Sequence, residues 1–129
     1  MSSTIEQLYS EIGQTALGLA DELAGRLLVY AEVEDGVISA GVFYANRAGV
    51  VRFRFAPKPL QDHIYSLWER WKERPGNREW RAMSYAIDGG KFSIDLTYPD
   101  QIGGEDIADR RPLVVKKHFG SLNVDYSKP

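Results

Sequence analysis

Apolar residues near the start of the chain recur at intervals of three or four positions, which is typical of one face of an α-helix. These residues are Ile5, Leu8, Ile12, Leu19 and Leu23. Thr4 suits the N-cap position, and Gly25 suits the end of the helix because glycine adopts positive φ at little cost. The pattern therefore predicts a long amphipathic helix from residue 4 to about residue 25.

The pattern then changes to three stretches rich in β-branched and aromatic residues, which favour strands. They cover residues 27–33, 37–45 and 50–55, with glycine-bearing turns between them. In the third stretch, Arg52 and Arg54 separate three apolar residues, an alternation that indicates a strand with one face in water. We expect three antiparallel strands in this part of the chain.

A second helix and a second hairpin are predicted after these strands. Pro57 and Pro59 end the strand pattern, and a helical stripe follows them. The stripe consists of Leu60, Ile64, Leu67 and Trp71. Residues 80–87 and 91–98 then form two strand patterns around a glycine-bearing turn.

Residues 106–120 are predicted to form a last helix, with Pro112 either as its first residue or inside it. The order of elements is then α-βββ-α-ββ-α. We expect a single α+β domain over residues 1–129, with an about five-stranded, mainly antiparallel sheet and the helices on one face.

Composition narrows the class of protein. A chain of 129 residues with 43% hydrophobic and 26% charged residues fits one globular domain. The absence of cysteine excludes disulfides and thiolate chemistry. The start of the chain lacks a signal-peptide pattern, and no apolar run reaches the roughly 20 residues that span a bilayer. We therefore expect a cytoplasmic protein with no membrane partner.

Charge is distributed unevenly along the chain, although the net charge is only −2. Residues 1–50 hold two basic and seven acidic residues, a net charge of −5, whereas residues 51–129 hold 14 basic and 11 acidic residues, a net charge of +3. Glu32, Glu34 and Asp35 cluster at the first predicted hairpin. This cluster predicts either an acidic surface for a basic partner or a face that keeps the protein soluble.

Motifs for catalysis, metals or nucleotides are not found. His63 and His118 have no second ligand at a metal-binding spacing, and the paired glycines fit no phosphate-binding fingerprint. A small hydrolase that uses Asp95 and Asp100 stays as a hypothesis, which requires the two side chains to converge in one cleft. We expect no catalytic residues, no cofactor and no metal.

A mixture of basic and aromatic residues in the second half suggests a nucleic-acid-binding or regulatory module as the alternative function. Its arginines are Arg70, Arg74, Arg78 and Arg81. Glutamates lie between them, and their negative charge opposes binding to phosphates. Core packing with a solvated charged face therefore explains this region better, and we do not expect a nucleic-acid partner.

Three segments and two single residues carry a resemblance to a known family. The segments are residues 28–33, 88–100 and 110–120, and the single residues are Trp80 and Ser84. In these positions the chain resembles the YezG-like family of bacterial immunity proteins, or antitoxins. The resemblance covers residues 27–120 and consists of structural motifs without catalytic content.

The resemblance implies a non-catalytic protein that binds and neutralises the toxic domain of a bacterial polymorphic toxin, often a nuclease. Its partner is then a protein toxin domain, and the sequence leaves a homodimer open. We predict Glu32, Glu34 and Asp35 as charged contacts. Tyr44 and Trp68 are predicted as aromatic anchors.

Overall fold

Three helices and six strands form the described part of the chain, which in this computed structural model comprises residues 4–20, 23–34, 37–99, 107–120 and 124–125. The elements are α1 (Ile5–Leu19), β1 (Leu23–Glu34), β2 (Val37–Asn46), β3 (Val51–Phe55), α2 (Lys58–Glu73), β4 (Ala82–Asp88), β5 (Lys91–Thr97), α3 (Ile107–Phe119) and β6 (Val124–Asp125). The predicted α+β class and the order α-βββ-α-ββ-α are confirmed, and the two-residue β6 follows them.

The strands form one sheet in the order β5-β4-β1-β2-β3-β6. The first five strands of this order are antiparallel to their neighbours, and β6 is parallel to β3. Strand β1 is central because it pairs with β2 on one side and with β4 on the other. Its register with β2 runs without interruption from Leu27 to Glu34, and it places Val37 opposite Glu34.

Both faces of the central strand are buried. Leu27, Val29 and Ala31 belong to the core cluster that includes the apolar residues of α1 and α2. Leu28 and Tyr30 alternate with them and pack in a second cluster with residues of α3. Successive side chains of a strand point to opposite faces, so α3 lies on the other face of the sheet from α1 and α2.

The prediction that the helices lie on one face is therefore wrong. An apolar run such as residues 27–31 is buried on both sides, and a sheet that contains it needs cover on both faces. Helix α3 supplies the second cover with Val115 and Phe119, which are both buried.

Helix α1 begins as predicted and ends earlier. The Thr4 side chain accepts a hydrogen bond from the Gln7 backbone, and Gln7 reaches back to the Thr4 N–H, which forms a capping box. The helix ends at Leu19, so the predicted end near Gly25 is wrong. Leu23 fits the helical spacing, but in the structure it is the first residue of β1 and pairs with Asn46 of β2.

Helix α3 contains Pro112 in its interior, so the second of the two predicted positions for this proline is the observed one. The helix is followed by Gly120, whose φ of +65° is accessible to glycine at little cost. The Gly120 N–H donates to the Lys116 carbonyl at 2.7 Å and closes the last turn.

Candidate functional site

Glu32, the first predicted contact residue, lies inside the protein and is 5% exposed. Its side chain is on the sheet face that α3 covers. Arg110 donates from Nε to Glu32 Oε2 at 2.8 Å and from Nη2 to Oε1 at 2.5 Å. The Tyr30 hydroxyl donates to Oε2 at 2.6 Å. The prediction of Glu32 as a surface contact is therefore corrected, because its carboxylate is occupied by a buried ion pair that joins α3 to β1.

The protonation states of this cluster are fixed by its contacts. Burial alone would raise the pKa of Glu32, but the hydrogen bonds from Arg110 and Tyr30 and the charge of Arg110 lower it below its ordinary value. Burial and the hydrogen bond to Glu32 raise the pKa of Tyr30. The hydrogen bonds to Glu32 raise the pKa of Arg110. All three shifts favour the ionised Glu32 and Arg110 and the neutral Tyr30, the forms that the hydrogen bonds of the cluster require.

The two predicted aromatic anchors, Tyr44 and Trp68, also lie in the core. Tyr44 is 2% exposed, and its hydroxyl accepts a hydrogen bond from Arg54 Nε at 3.5 Å. Trp68 is 8% exposed, and its indole N–H donates to the Trp80 carbonyl at 2.9 Å. The Lys72 ammonium lies 3.8 Å from the centre of the Trp68 ring and covers it. The prediction that these residues are surface anchors is corrected, because burial of their large rings stabilises the core.

The remaining two predicted contacts are Glu34 and Asp35. The backbone of Glu34 is the last position of β1 and pairs with Val37. Asp35 lies outside the described residues. Both stay predictions as charged contacts.

Folding brings part of the acidic first half against basic residues of the second half. Glu6 of α1 lies 3.7 Å from Arg74, and Glu11 lies 3.2 Å from His63 of α2. These pairs are at the surface and each contributes little stability. The Glu6–Arg74 pair reduces the charge asymmetry that the linear sequence indicates.

The arginines proposed for nucleic-acid binding contact groups of the protein itself. Arg70 lies 3.3 Å from Glu73, and Arg74 contacts Glu6 as described above. The Arg78 guanidinium lies over an aromatic ring, 4.4 Å from its centre. Glutamates beside these cations weaken the positive field that phosphate binding requires.

The acidic residues considered for catalysis have different surroundings. Asp88 is ion-paired with Arg26, Nη2 to Oδ2 at 3.1 Å, and Asp95 is exposed on β5. Asp100, its predicted catalytic partner, lies outside the described residues. Within the described residues, no group of three or more His, Asp, Glu or Cys side chains has an arrangement that could hold a metal ion.

A cleft of about 210 Å³ lies where the end of α3 meets the hairpin of β4 and β5. Arg26, Asp88 and His118 line it. Arg26 contacts both neighbours: besides its ion pair with Asp88, its Nη1 donates to the His118 carbonyl at 3.1 Å. Burial and the charges of Arg26 and Lys117 lower the pKa of His118. The cleft thus belongs to a contact that caps α3 and fixes it to the sheet.

Large apolar side chains at the surface are the feature that sequence reasoning missed. In the described part of the chain they are Leu17, Val37, Phe55, Phe92 and Leu113. Phe55 is the most exposed of them at 77%, followed by Leu113 at 69% and Val37 at 67%. The exposed ring of Phe55 is a large apolar surface that a partner could cover.

Phe55 and Val37 lie on the same face of the sheet, together with exposed Ser39. Phe55 pairs with Gly41, and the regular register of β2 carries the same face from Gly41 through Ser39 to Val37. We call these three residues, Val37, Ser39 and Phe55, the Phe55 patch. It lies beside α3 at the hairpin end of the sheet.

The position of the Phe55 ring is set by its neighbours. The Phe53 ring is buried next to it, with 4.9 Å between ring centres and an edge-on angle of 76°. A Cβ at position 41 would overlap the Phe53 ring, so glycine at this position gives that ring its place. The Arg111 guanidinium of α3 lies 5.7 Å from the centre of the Phe53 ring, which is buried, whereas Phe55 is exposed.

A sequence signal for this surface did exist. Phe55 is the last residue of β3, and Pro57 follows it closely. Phe55 therefore lies at the end of its strand, where a helix packed on the sheet covers less. The alternation identifies its face. It does not show how far α3 extends.

No family model matches this chain, and a search of curated proteins finds no match. No helix in the described ranges is long and apolar enough to cross a membrane. The resemblance to YezG-like immunity proteins therefore stays a prediction.

Proposed function

We propose that this protein is a non-catalytic immunity protein that binds and neutralises a bacterial toxin domain, the function that its resemblance to the YezG-like family implies. The single observation that carries the proposal is the Phe55 patch. A toxin of the nuclease class is the first to test, because such enzymes present positive charge to their substrates.

The Phe55 patch has the properties of an interface anchor. Aromatic residues are enriched in protein interfaces and supply much of their binding free energy. Phe55 is exposed and contacts buried Phe53 edge-on. A ring with few freely rotating bonds loses little conformational entropy when a partner covers it.

Predicted acidic contacts are next to this patch in the chain. Glu34 and Asp35 precede Val37, and the backbone of Glu34 pairs with Val37 across the hairpin. An apolar anchor with acidic neighbours suits a partner with a basic active site, since charge complementarity increases the association rate and an apolar contact slows dissociation. Glu32 takes no part in direct contact and instead holds α3 beside the patch.

A protection assay in bacteria tests the proposal. Cells express a candidate toxin domain taken from a neighbouring gene, together with the wild-type protein, Phe55→Gln or Leu17→Gln. Leu17 is an exposed residue of α1, on the opposite side of the sheet, and serves as the matched control. We expect protection by the wild type and by Leu17→Gln, and loss of protection by Phe55→Gln.

Two results would contradict this proposal. Full protection by Phe55→Gln at the same soluble protein level would remove the patch as the contact surface. The absence of any toxin gene beside this one, or a lack of protection by the wild type, would remove the toxin as the partner.

A further inference from the structure

Strand β5 forms one edge of the sheet. Among the strands that the structure describes, it pairs with β4 only. Its seven residues, Lys91–Thr97, contain neither proline nor glycine, and their register with β4 is continuous. A straight edge of this kind directs backbone N–H and C=O groups away from the sheet and is a template for another strand.

The two faces of β5 differ in character. Phe92, Ile94 and Leu96 share the apolar face, whereas Lys91, Ser93, Asp95 and Thr97 share the polar face. Phe92 stacks on Tyr85 with 5.3 Å between ring centres and still leaves 52% of its surface exposed. Strand β5 is apolar on one face and has a lysine and an aspartate on the other. Pairing with a second strand of the same kind would match apolar side chains on one face and opposite charges on the other.

We propose that two copies of this chain pair through β5, antiparallel about a two-fold axis at Ile94, so that one sheet continues across a homodimer. A two-fold axis makes the contact self-complementary. In this register Phe92 lies opposite Leu96 of the second copy, and Ile94 lies opposite its own equivalent. The exposed part of Phe92 is then covered by an apolar side chain.

The charges of β5 fit the same register. Lys91 lies opposite Thr97 of the second copy and diagonal to its Asp95, a separation that a lysine side chain can span. The two-fold axis gives two such pairs. Asp95 itself lies opposite Ser93 of the second copy, so no like charges meet. This pairing does not rest on the proposed toxin binding, and it leaves the Phe55 patch at the other end of the strand order.

Sedimentation analysis of the purified chain alone, from about 1 µM to about 1 mM, tests the dimer. We expect a reversible monomer–dimer equilibrium. Lys91→Glu and Asp95→Lys each replace two attractions with two repulsions, so each variant should weaken the dimer about tenfold or more. The double variant Lys91→Glu/Asp95→Lys restores opposite charges and should recover the wild-type dissociation constant to within about threefold.

Lys58 and Asp62 provide matched controls, because they form an exposed ion pair on α2, away from β5. Lys58→Glu and Asp62→Lys change the net charge by the same amounts and should leave the dimer unchanged. A chain that stays monomeric over the whole concentration range would overturn the proposal. Equal effects of the control variants, or failure of the double variant to recover, would overturn it as well.

Discussion

Glu32 connects two parts of the protein that are far apart in the chain. It lies 78 positions from Arg110 in the chain, and the ion pair between them joins β1 to α3. Transfer of two charges from water costs free energy that their attraction and hydrogen bonds must offset. Removal of Glu32 takes away the counter-charge of Arg110, whose side chain is only 15% exposed, and this costs more than the intact pair contributes.

Glu32→Gln should therefore lower the free energy of unfolding by about 3 kcal/mol, because Arg110 loses its counter-charge in a buried place. Asp62→Asn is the control, since it breaks a lysine–carboxylate pair in which Lys58 and Asp62 are 84% and 61% exposed. The control should change stability by about 0.5 kcal/mol or less. Urea unfolding of the three proteins measures both effects, and equal losses would show that burial of Glu32 is unimportant.

The pH dependence of stability should report the same pair. The pKa of Glu32 is lower in the folded protein than its ordinary value of 4.5, so its ionised form is favoured by folding. This contribution is fully present above the unfolded pKa and is lost as the pH falls through the folded pKa. The stability difference between the wild type and Glu32→Gln should thus shrink as the pH falls below 4.5.

Urea unfolding between about pH 7 and about pH 3 measures this difference. Other titrating groups, such as His118, are present in both proteins and largely cancel in the subtraction. A difference that is constant over this range would contradict the assignment of a lowered pKa to Glu32.

The functional residues were harder to predict from sequence than the elements that hold them. Glu32 lies in an acidic cluster, and a local pattern does not reveal an arginine that reaches it from a helix far along the chain. Tyr44 and Trp68 were assigned to the surface because the sequence pattern of a strand or helix does not show which of its residues the neighbouring elements cover. Phe55 was identified as apolar, but its exposure depends on how much of this sheet face α3 covers.

At the scale of elements, periodicity predicted the order of helices and strands correctly. Each segment within residues 37–98 fits either the two-residue period of a strand or the 3.6-residue period of a helix. The two errors of this prediction have physical causes. The end of α1 was misplaced because Leu19 and Leu23 satisfy a helical spacing, whereas pairing of β1 with β2 decides the structure. The helices were placed on one face although the apolar run of β1 already requires cover on both.

Pro112 gives a prediction for α3. Its ring removes a backbone hydrogen bond inside the helix, and its fixed φ only partly compensates by restricting the unfolded chain. Pro112→Ala should raise the free energy of unfolding by about 1 kcal/mol. Pro59→Ala is the control, because Pro59 lies in the first turn of α2, where the missing N–H has no helical partner.

The control variant should show no gain in stability, or a small loss. Thermal and urea unfolding compare the two variants with the wild type. A lower free energy of unfolding for Pro112→Ala would contradict the prediction, because it would show that Pro112 stabilises α3.

At the scale of the whole molecule, the two sheet faces have different surroundings. Helices α1 and α2 cover one face, and α3 covers the centre of the other. The Phe55 patch lies beside α3 near one edge of the sheet, and β5 forms the opposite edge. A partner at the patch and a second copy at β5 therefore have separate places on the molecule.

Calorimetric titration of the purified toxin domain with this protein tests the central claim most directly. We predict saturable binding by the wild type and by Leu17→Gln. Binding by Phe55→Gln should be about 30-fold weaker or more, the loss typical of an interface hot spot, at an unfolding free energy within about 0.5 kcal/mol of the wild type. Wild-type affinity in folded Phe55→Gln would contradict the account.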